Sequence, residues 1–506
     1  MIQLNGVGLT IEDVVKVARD RVPVCISQEA KERTVRTREY VEKKVSERAV
    51  IYGITTGFGK FSDTLISAEQ TSRLQKNLIM SHACAVGKPL ATETVRAAML
   101  LRANSLSHGN SGIRLTTLQT LVDMLNKGVH PIVPRQGSLG ASGDLAPLSH
   151  IVLVMLGEGE AEYEGQILPG KEAMNKAGIP TVELAAKEGL CLINGTQVMS
   201  AIGCLAVYDA MKLATVADIA AALTSEALLG ITIAYDEKAH LLRPHQGQLQ
   251  SAANLRALLK DSNLSHRTRL DRVQDAYSLR CVPQVHGASR DAIGYAYNAL
   301  TAEINSVTDN PLIFPEEDET ISCGHFHGQP IALAMDFLGI ALSEYANISE
   351  RRIERLVNPQ LSGLPAFLVH DGGINSGFMI AQYVAASLVS ENKVNAHPAS
   401  VDSIPSSANQ EDHVSMGTTA ARKALAILEN AQRVLGIELM AATQGISFRG
   451  EEKMSPVTRK IFAHVRKQIP FVEQDMIMYP ELNKAFEMIK DESLYHIAKE
   501  ACPELN

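Results

Sequence analysis

Four long apolar tracts in the second part of the chain constrain the fold more than any other feature. Residues 197–229 hold no proline and a single glycine, and similar tracts lie near 329–357, 376–396 and 416–445. Because thirty helical residues span about 45 Å, these tracts predict an elongated bundle of long helices. Their faces hold more alanine, leucine and isoleucine than one bundle buries, which favours association of several copies through helix faces.

The first part of the chain has shorter periodic segments. An amphipathic helix is predicted to begin after Thr10, and residues 159–170 alternate polar and apolar side chains as a β-hairpin does. The length of 506 residues exceeds what one compact core usually serves. We therefore predict a mainly α protein that forms one continuous unit, in which two regions meet at an approximate boundary. A smaller mixed α/β N-terminal lobe covers residues 1–196, and a long-helix bundle and oligomerisation region covers residues 197–506.

Charge and composition argue against several classes of partner. The 48 basic and 56 acidic residues give a net charge of −8, which disfavours nucleic acid and anionic membranes. The first residues lack the basic and apolar regions of a signal peptide, and charged residues interrupt even the apolar region 198–229. The seven cysteines are widely spaced and form no Cys-x-x-Cys pair, as in a reduced protein. We expect a cytoplasmic location.

Residues 137–144 read Gly-Ser-Leu-Gly-Ala-Ser-Gly-Asp, and the Ala141-Ser142-Gly143 tripeptide can generate an electrophile from its own backbone. A glycine nitrogen is the least hindered in a chain, so the nitrogen of Gly143 can attack the carbonyl of Ala141. Loss of water closes a five-membered imidazolone ring. Elimination of the Ser142 hydroxyl then leaves a conjugated alkene, methylideneimidazolone. Ordinary side chains supply nucleophiles, acids and bases but no comparable electrophile.

The surroundings of the tripeptide predict a helix start. Asp144 is a good N-cap, and Pro147 is tolerated in a first turn, where backbone N–H groups lack partners. The tripeptide should therefore lie at a helix N-terminus, where the helix dipole favours developing negative charge. Taken alone, the segment is more typical of a glycine-rich turn before a core helix.

Other site signatures are weak or broken. His325 and His327 would place two imidazoles on one face of a strand as metal ligands, but no third ligand is assignable, which disfavours a metal site. The dinucleotide fingerprint fails at Ile11 and the phosphate-binding loop fails at Ile54. No local pattern singles out a lysine for pyridoxal phosphate.

The run GSLGASGDLAPLSH resembles the cofactor-forming signature of the aromatic amino acid ammonia-lyases. Further blocks match this family in order over nearly the whole chain: YGITTGFG from Tyr52, SHACAVG from Ser81, INGTQ from Ile193, QDAYSLRCVPQVHG from Gln274, SERRIERLVNP from Ser349 and SIPSSANQEDHVSMG from Ser403. One block departs. Where the family usually has Gly-Gly-Asn-Phe-His, residues 323–327 read Cys-Gly-His-Phe-His.

The resemblance implies a methylideneimidazolone cofactor formed autocatalytically from Ala141, Ser142 and Gly143, with no metal and no pyridoxal phosphate. It also implies a homotetramer whose active sites are shared between subunits. Within the family, the resemblance is to the histidine-specific branch. The expected reaction is non-oxidative deamination of L-histidine to trans-urocanate and ammonia, the first step of histidine degradation. Attack of the electrophile on the amine and attack on the imidazole both stay open.

Site roles follow from the same resemblance. Catalytic roles fall on Tyr52, Ser142, Tyr277 and Glu411. Substrate-binding roles fall on His82, Asn194, Gln274, Arg280 and Phe326. Tyr52 would take the β-proton, although a tyrosine pKa is ordinarily about 10, so its site must favour the phenolate.

The chemistry of each side chain suits the role that the resemblance implies. Arg280 would clamp the substrate carboxylate, because a guanidinium matches a carboxylate bidentately. Asn194 would hydrogen-bond that carboxylate or a carbonyl of the cofactor, and Phe326 would pack against the cofactor. Gln274 and Tyr277 are three residues apart, on one face if the segment is helical, and would line the same pocket.

The expected substrate depends on His82 and Glu411, which would contact the imidazole. Tyrosine-selective relatives generally follow the histidine with leucine, whereas Ala83 follows here. Phenylalanine-selective relatives carry apolar residues at this pair, and aromatic lyases usually have glutamine in place of Glu411. A carboxylate suits an imidazole, whose N–H it accepts, but beside a phenyl ring it would be desolvated without a partner.

Three alternatives stay open. The first is a tyrosine or phenylalanine ammonia-lyase or aminomutase with the same cofactor. The second is a helical oligomer without activity, which the presence of Tyr52, Ser142 and Arg280 disfavours. The third is a helical lyase of the fumarase–aspartase type, whose Gly-Ser-Ser-x-Met-Pro-x-Lys-x-Asn signature does not occur in this sequence.

Overall fold

The computed structural model describes residues 1–51, 53–54, 56 and 68–505. It is mainly helical, as predicted, with twenty α-helices and four small sheets in that part of the chain.

The chain divides into two compact units that alternate along the sequence. The first unit comprises Met1–Tyr208, Ala296–Asp336 and Pro398–Arg422. The second unit comprises Asp209–Tyr295, Phe337–His397 and Lys423–Asn506. The sequence boundary near residue 196 was drawn on composition and helix length, and it stays a prediction.

The four apolar tracts are helical, as predicted, with the bounds Gln197–Ala227, Gln329–Val357, Met379–Asn395 and Gly417–Ser447. Before them lie helices Ile11–Ala18, Gln28–Ser46, Ala68–His82, Thr92–Leu106, Leu115–Lys127, Leu145–Met155, Gly170–Lys176 and Glu188–Ile193. Between and after them lie Glu237–Leu241, Gln246–Leu258, Tyr277–Arg280, Val282–Glu303, Pro359–Ser362, Pro456–Gln468, Tyr479–Lys490 and Ser493–Ala501.

The sequence reading missed the long helix Val282–Glu303, which contains two glycines in its interior. Glycine weakens a helix by about 1 kcal/mol relative to alanine, so two glycines reduce the helical signal of this segment. The structure supplies the reason for Gly287. A Cβ at this position would lie 2.3 Å from the backbone nitrogen of Gln248, so the backbone of Gln246–Leu258 approaches too closely for any side chain.

Two of the long helices are apolar enough to cross a membrane, judged by length and composition alone. The apolar windows of Gln197–Ala227 and Gln329–Val357 are 78% and 67% buried inside the protein. Both helices therefore place most of their apolar surface in the core.

The predicted hairpin over residues 159–170 is confirmed. Strand Glu160–Tyr163 pairs antiparallel with Gln166–Pro169, and Glu164 and Gly165 turn the chain with φ of 50° and 77°, as a two-residue hairpin turn requires. His130–Pro131 is the third strand of this sheet. The other pairs are Ile2–Leu4 with Val24–Ile26, which is parallel, and two antiparallel pairs, Val86–Pro89 with Pro134–Gln136 and Leu312–Phe314 with Glu319–Ile321.

The amphipathic helix predicted after Thr10 is also confirmed. Helix Ile11–Ala18 begins with a capping box, in which Thr10 accepts from the Asp13 N–H and Asp13 accepts from the Thr10 N–H. This reciprocal pair satisfies two of the N–H groups that a helix start leaves without partners.

A buried ion pair joins three of the long helices within the second unit. Arg352 and Glu438 are both fully buried, and the Arg352 Nε and Nη2 atoms donate to the two carboxylate oxygens at 2.5 and 2.8 Å. The hydroxyls of Thr224 and Ser349 donate to the same carboxylate at 2.7 and 2.6 Å. Because a buried charge without partners is strongly destabilising, this network favours one register of the three helices.

Candidate active site

The tripeptide lies in the loop between strand Pro134–Gln136 and helix Leu145–Met155, in the first unit. Gly143 has φ of 76°, and a Cβ there would lie only 2.1 Å from the carbonyl oxygen of Gly195. The two glycines form an isolated parallel β-bridge, and the Asp144 N–H donates to the Gly195 carbonyl at 2.7 Å. Only glycine permits this backbone conformation and this approach together.

The helix after the tripeptide begins at Leu145, as predicted, but the predicted capping role of the Asp144 side chain is wrong. Its carboxylate makes no cap to its own helix. It accepts instead from Ser138 Oγ at 2.8 Å and from the N–H groups of Val198 and Met199 at 2.9 and 2.8 Å, and it also accepts from the hydroxyl of Thr418.

Asp144 therefore caps the beginning of a different helix, Gln197–Ala227. The first N–H groups of a helix lack partners within it and favour negative charge. Burial raises the pKa of Asp144, and the hydrogen bonds from its four donors oppose this rise. One side chain thus fixes the loop that carries the tripeptide to the start of a 31-residue helix.

The other side of the tripeptide is held by the segment that contains Glu411. The N–H groups of Ser415 and Met416 donate to the carbonyls of Gly140 and Leu139 at 3.3 and 3.2 Å. Ala141 is buried among apolar side chains of this segment and its surroundings: Leu139, Ala399, Val414 and Met416. The predicted site residues Ser142 and Glu411 are brought together by this backbone pairing.

Glu411 contacts the tripeptide directly. Ser142 Oγ donates to Glu411 Oε1 at 3.1 Å, and Ser406 Oγ donates to Glu411 Oε2 at 3.0 Å. Backbone hydrogen bonds in both directions between Ser406 and Glu411 hold this carboxylate in place. Both carboxylate oxygens therefore face hydroxyl donors, one of which belongs to the tripeptide.

His82 lies at the end of helix Ala68–His82, within electrostatic reach of Glu411. Partial burial lowers the pKa of His82, while the backbone of Leu78 and the charge of Glu411 oppose that change. The imidazole is therefore neutral at neutral pH and has one donor and one acceptor nitrogen. The predicted His82–Glu411 pair thus combines a neutral imidazole with a carboxylate.

Asn194 is buried at the end of helix Glu188–Ile193, next to Gly195. Its Nδ2 donates to the carbonyl of Asn310 at 3.1 Å, and its Oδ1 has no hydrogen-bond partner within the described part of the chain. Buried polar atoms are normally satisfied. An acceptor left without a partner at this position is suited to a donor on a ligand.

The strand face on which His325 and His327 could have bound a metal does not form, because the chain turns at residues 325–326. The His327 N–H donates to the carbonyl of Gly324 at 2.9 Å, and Phe326 lies half-buried in the turn. No group of three side chains suited to metal binding occurs in the residues that the structure describes.

Gln274, Tyr277 and Arg280 belong to the second unit. Gln274 precedes the short helix Tyr277–Arg280, so the helical face that the sequence suggested for Gln274 and Tyr277 does not exist. The Arg280 guanidinium lies 4.6 Å from the centre of the Tyr277 ring, and its buried Nε has no hydrogen-bond partner among the described residues. Tyr52 lies outside the described residues.

Comparison with known proteins gives the family. A family model described as aromatic amino acid lyase matches residues 9–467. The histidine ammonia-lyase of Alkaliphilus metalliredigens is 62% identical over 488 residues, which are 96% of each chain. The crystal structure of histidine ammonia-lyase from Trypanosoma cruzi has a TM-score of 0.93 and 44% identity, and the match covers 100% of this chain and 96% of that one. Tyrosine aminomutase from Streptomyces globisporus has a TM-score of 0.95 and 37% identity, with 99% and 98% covered. This chain belongs to the aromatic amino acid lyase family.

Some site contacts of this aromatic amino acid lyase were not anticipated from its sequence. Gly195 belongs to the INGTQ block that matches the family. That match was the only sequence signal for this residue, and its contact with Gly143 is seen only in the structure. Arg102 gave no such signal, although its buried guanidinium donates to the carbonyl of Asn194 at 2.9 Å. The pair Lys187–Asp309, fully buried at 2.8 Å, also carried no recognisable motif.

The contact between Gly143 and Gly195 predicts the effect of a methyl group at position 143. Gly143→Ala should lower the free energy of unfolding by about 1–2 kcal/mol for the left-handed backbone, and by at least about 1–3 kcal/mol more for the overlap with the Gly195 oxygen. Gly165→Ala is a matched control, since Gly165 has φ of 77° and no heavy atom within 4 Å of its Cβ position. Urea unfolding followed by circular dichroism measures both. Equal losses would contradict the close contact.

Proposed function

We propose that this lyase deaminates L-histidine to trans-urocanate and ammonia, without oxidation, as the first step of histidine degradation. The observation that carries the proposal is the position of Glu411, which hydrogen-bonds Ser142 at 3.1 Å and acts electrostatically on His82. A carboxylate in contact with Ser142, together with a neutral imidazole on which that carboxylate acts, suits a polar ring that both donates and accepts. The 62% identity to a protein named histidine ammonia-lyase supports the same substrate.

We further propose that Ala141, Ser142 and Gly143 form a methylideneimidazolone, without metal or pyridoxal phosphate. The tripeptide fits this role because Gly143 has a left-handed backbone, no side chain and a fixed neighbour in Gly195. When formed, the ring supplies an electrophilic alkene carbon. The Ser142 hydroxyl departs in this process, so Glu411 Oε1 loses its partner and becomes available to accept an N–H from the substrate.

Substrate selection follows from Glu411, which contacts Ser142, and from His82, on which Glu411 acts electrostatically. Glu411 accepts the imidazole N–H of histidine, and the neutral ring of His82 offers a second hydrogen-bonding group. Beside the phenyl ring of phenylalanine, the same carboxylate would lose water without gaining a partner. Ala83 supports this assignment, because tyrosine-selective relatives generally carry leucine at that position.

The remaining roles rest on the resemblance together with the chemistry of each group. Arg280 would bind the substrate carboxylate, for which its Nε, without a partner among the described residues, is suited. Asn194 would turn the second N–H of its Nδ2 group, the first of which donates to the Asn310 carbonyl, toward the substrate carboxylate or a cofactor carbonyl. Tyr52 takes the β-proton. Gln274, Tyr277 and Phe326 line the pocket.

Exposed apolar stripes support a homotetramer with active sites shared between subunits. On helix Gln329–Val357, the side chains of Leu333, Phe337 and Ile340 are 47%, 45% and 43% exposed at a spacing typical of one helix face. On helix Met379–Asn395, Ile380 and Tyr383 are 57% and 59% exposed. Contiguous apolar surface of this kind marks protein–protein contact.

The state of the cysteines supports a cytoplasmic location. All seven lie in the described part of the chain and all are free. Free thiols persist in a reducing compartment, and we propose that the enzyme works there.

The first prediction for this function is that Ser142→Ala abolishes turnover. Without the hydroxyl the alkene cannot form, and we expect kcat to fall at least a thousandfold, which is about 4 kcal/mol of barrier. Ser149→Ala is the control, because the Ser149 hydroxyl donates to Leu145 of its own helix and should leave kcat within about twofold. Urocanate absorbance measures turnover, and intact mass measures the loss of two waters per chain. Turnover near the wild-type rate by Ser142→Ala would contradict the mechanism.

The second prediction is that the charge of Glu411 sets substrate choice. Glu411→Gln keeps the shape but loses the charge, so kcat/KM for histidine should fall by about 10- to 100-fold, as loss of a charge-assisted hydrogen bond implies. Asp412→Asn removes a neighbouring exposed carboxylate and serves as the matched control. Assays with histidine, tyrosine and phenylalanine also test the sister-enzyme alternative. Equal kcat/KM for histidine and either other amino acid would show the substrate assignment to be wrong.

The third prediction is that activity depends on assembly. We expect light scattering to report a tetramer, and dilution that yields monomers should abolish turnover, because the apolar faces and the shared sites then separate. Phe337→Glu places a charge on an exposed apolar stripe and should weaken the tetramer. Gln360→Glu, at an exposed position outside these stripes, adds the same single negative charge and serves as the control. A fully active monomer would refute the proposed assembly.

A further inference from the structure

Arg102 is a buried guanidinium within reach of the backbone that contacts the tripeptide. It lies on helix Thr92–Leu106 and is 2% exposed. Burial lowers its pKa, and the charge of Asp309 opposes this change. Its Nη1 donates to the carbonyl of Asn194 and to Gln197 Oε1, each at 2.9 Å, whereas Nε and Nη2 have no partners within the described ranges. Burying a cation with so few hydrogen bonds is unfavourable, so a function other than stability is expected.

The two acceptors of Arg102 lie on either side of Gly195. Asn194 precedes this glycine and Gln197 follows it, and Gln197 Nε2 is held in turn by the hydroxyl of Thr308 at 2.6 Å. A Cβ at Gly195 would lie 2.4 Å from the Arg102 Nη1 atom. The guanidinium therefore lies directly against the backbone of Gly195.

Gly195 in turn lies directly against the tripeptide. A Cβ at Gly143 would be 2.1 Å from the Gly195 oxygen, and that oxygen accepts the Asp144 N–H at 2.7 Å. The guanidinium, the Gly195 backbone and the Gly143 backbone are thus three successive layers with no room for a side chain between them. A shift of Gly195 into the space that Arg102 occupies would loosen its contact with Gly143.

We propose that Arg102 is a positioning residue for cofactor formation, because it fixes the Gly195 backbone as the wall that holds Gly143 against Ala141. This inference rests on the proposed function. In the reaction the Gly143 nitrogen bonds to the Ala141 carbonyl carbon, and the Ala141 oxygen leaves as water with the amide hydrogens of Ser142 and Gly143. The Ser142 hydroxyl and Cα hydrogen then leave as a second water. Atoms balance without an oxidant.

Ring closure is sensitive to such a wall because the amide nitrogen is a poor nucleophile. The nitrogen and the carbonyl carbon must be held near 3–3.5 Å for attack, and a displacement of about 1 Å can reduce a rate by about a hundredfold. Once the ring exists, covalent bonds hold the three residues together. Arg102 should therefore affect the formation of the cofactor much more than later turnover.

Arg96 provides a matched control on the same helix. It is also 2% exposed, burial likewise lowers its pKa, to about 10, and its guanidinium donates to the carbonyls of Val17 and Leu125 rather than to the site. Arg102→Met and Arg96→Met remove equally buried cations. Only the first removes the support of Gly195.

The experiment measures, by intact mass, the fraction of each purified tetramer's chains that have lost two waters at fixed times after synthesis. We expect the wild type and Arg96→Met to be fully processed, and Arg102→Met to be processed at least tenfold more slowly. Arg102→Lys keeps a buried cation, but its side chain is one bond shorter and lacks the planar guanidinium that lies against Gly195. It should therefore be intermediate, and it carries the test if the methionine variant does not fold. The value of kcat per processed chain should stay within about threefold of wild type, since the finished ring no longer needs the wall.

The outcomes separate this inference from the function on which it rests. Equal processing of Arg102→Met, or of a folded Arg102→Lys, and Arg96→Met, beside a processed wild type, would overturn the role of Arg102 alone. Normal processing with a large fall in kcat per processed chain would also overturn it, in favour of a role in turnover. A wild type with the full encoded mass would refute the proposed cofactor itself.

Discussion

The direct contact between the backbones of Gly143 and Gly195 is the constraint on which the site depends. With a Cβ excluded at both positions, the loop that carries Ser142 is set by main-chain atoms, which vary less in position than side chains. Asp144 strengthens the same contact, because its N–H bonds Gly195 while its carboxylate caps helix Gln197–Ala227. A long helix and a reactive loop therefore share one fixed point.

The two carboxylates near this contact, Asp144 and Glu411, differ in how firmly their hydrogen bonds hold them. Asp144 is buried and surrounded by four donors, so it cannot move without losing several hydrogen bonds at once. Glu411 is only partly buried and accepts from two hydroxyls, a weaker environment in which one partner can be exchanged. The substrate contact proposed for Glu411 suits this second arrangement, because a ligand N–H can replace a hydroxyl at little net change in hydrogen bonding.

The sequence predicts those features that depend on neighbouring residues. Long apolar tracts with little proline or glycine located the four long helices, and the alternation around Glu164 located the hairpin. The tripeptide could be recognised because the proposed cofactor forms from three consecutive residues. Pairing of His82 with Glu411, which are far apart in the chain, came only through resemblance to a family, since no local pattern links them.

The errors arise where tertiary contacts override local preference. Asp144 has the residue type and position of a local N-cap, yet the N–H groups of Val198 and Met199 compete for it successfully from a different helix. Gly287 weakens a helix locally but permits the close approach of Gln248, a benefit that no window of sequence contains. The hydrogen bond by which Arg102 supports this backbone reaches Asn194, which lies 92 positions later in the chain. A buried arginine has no sequence signature.

The departure from the family pattern at residues 323–327 shows how such a site tolerates change. Cys323 Sγ and His325 Nδ1 lie 2.9 Å apart and satisfy each other. The link to the site runs through the main chain instead, because the Cys323 N–H donates to Asn310 Oδ1 at 2.6 Å and the Asn310 carbonyl accepts from Asn194 at 3.1 Å. Every residue except proline carries that N–H. Cysteine at position 323 therefore preserves the hydrogen bond that connects this turn to Asn194, and the two replaced side chains pair with one another.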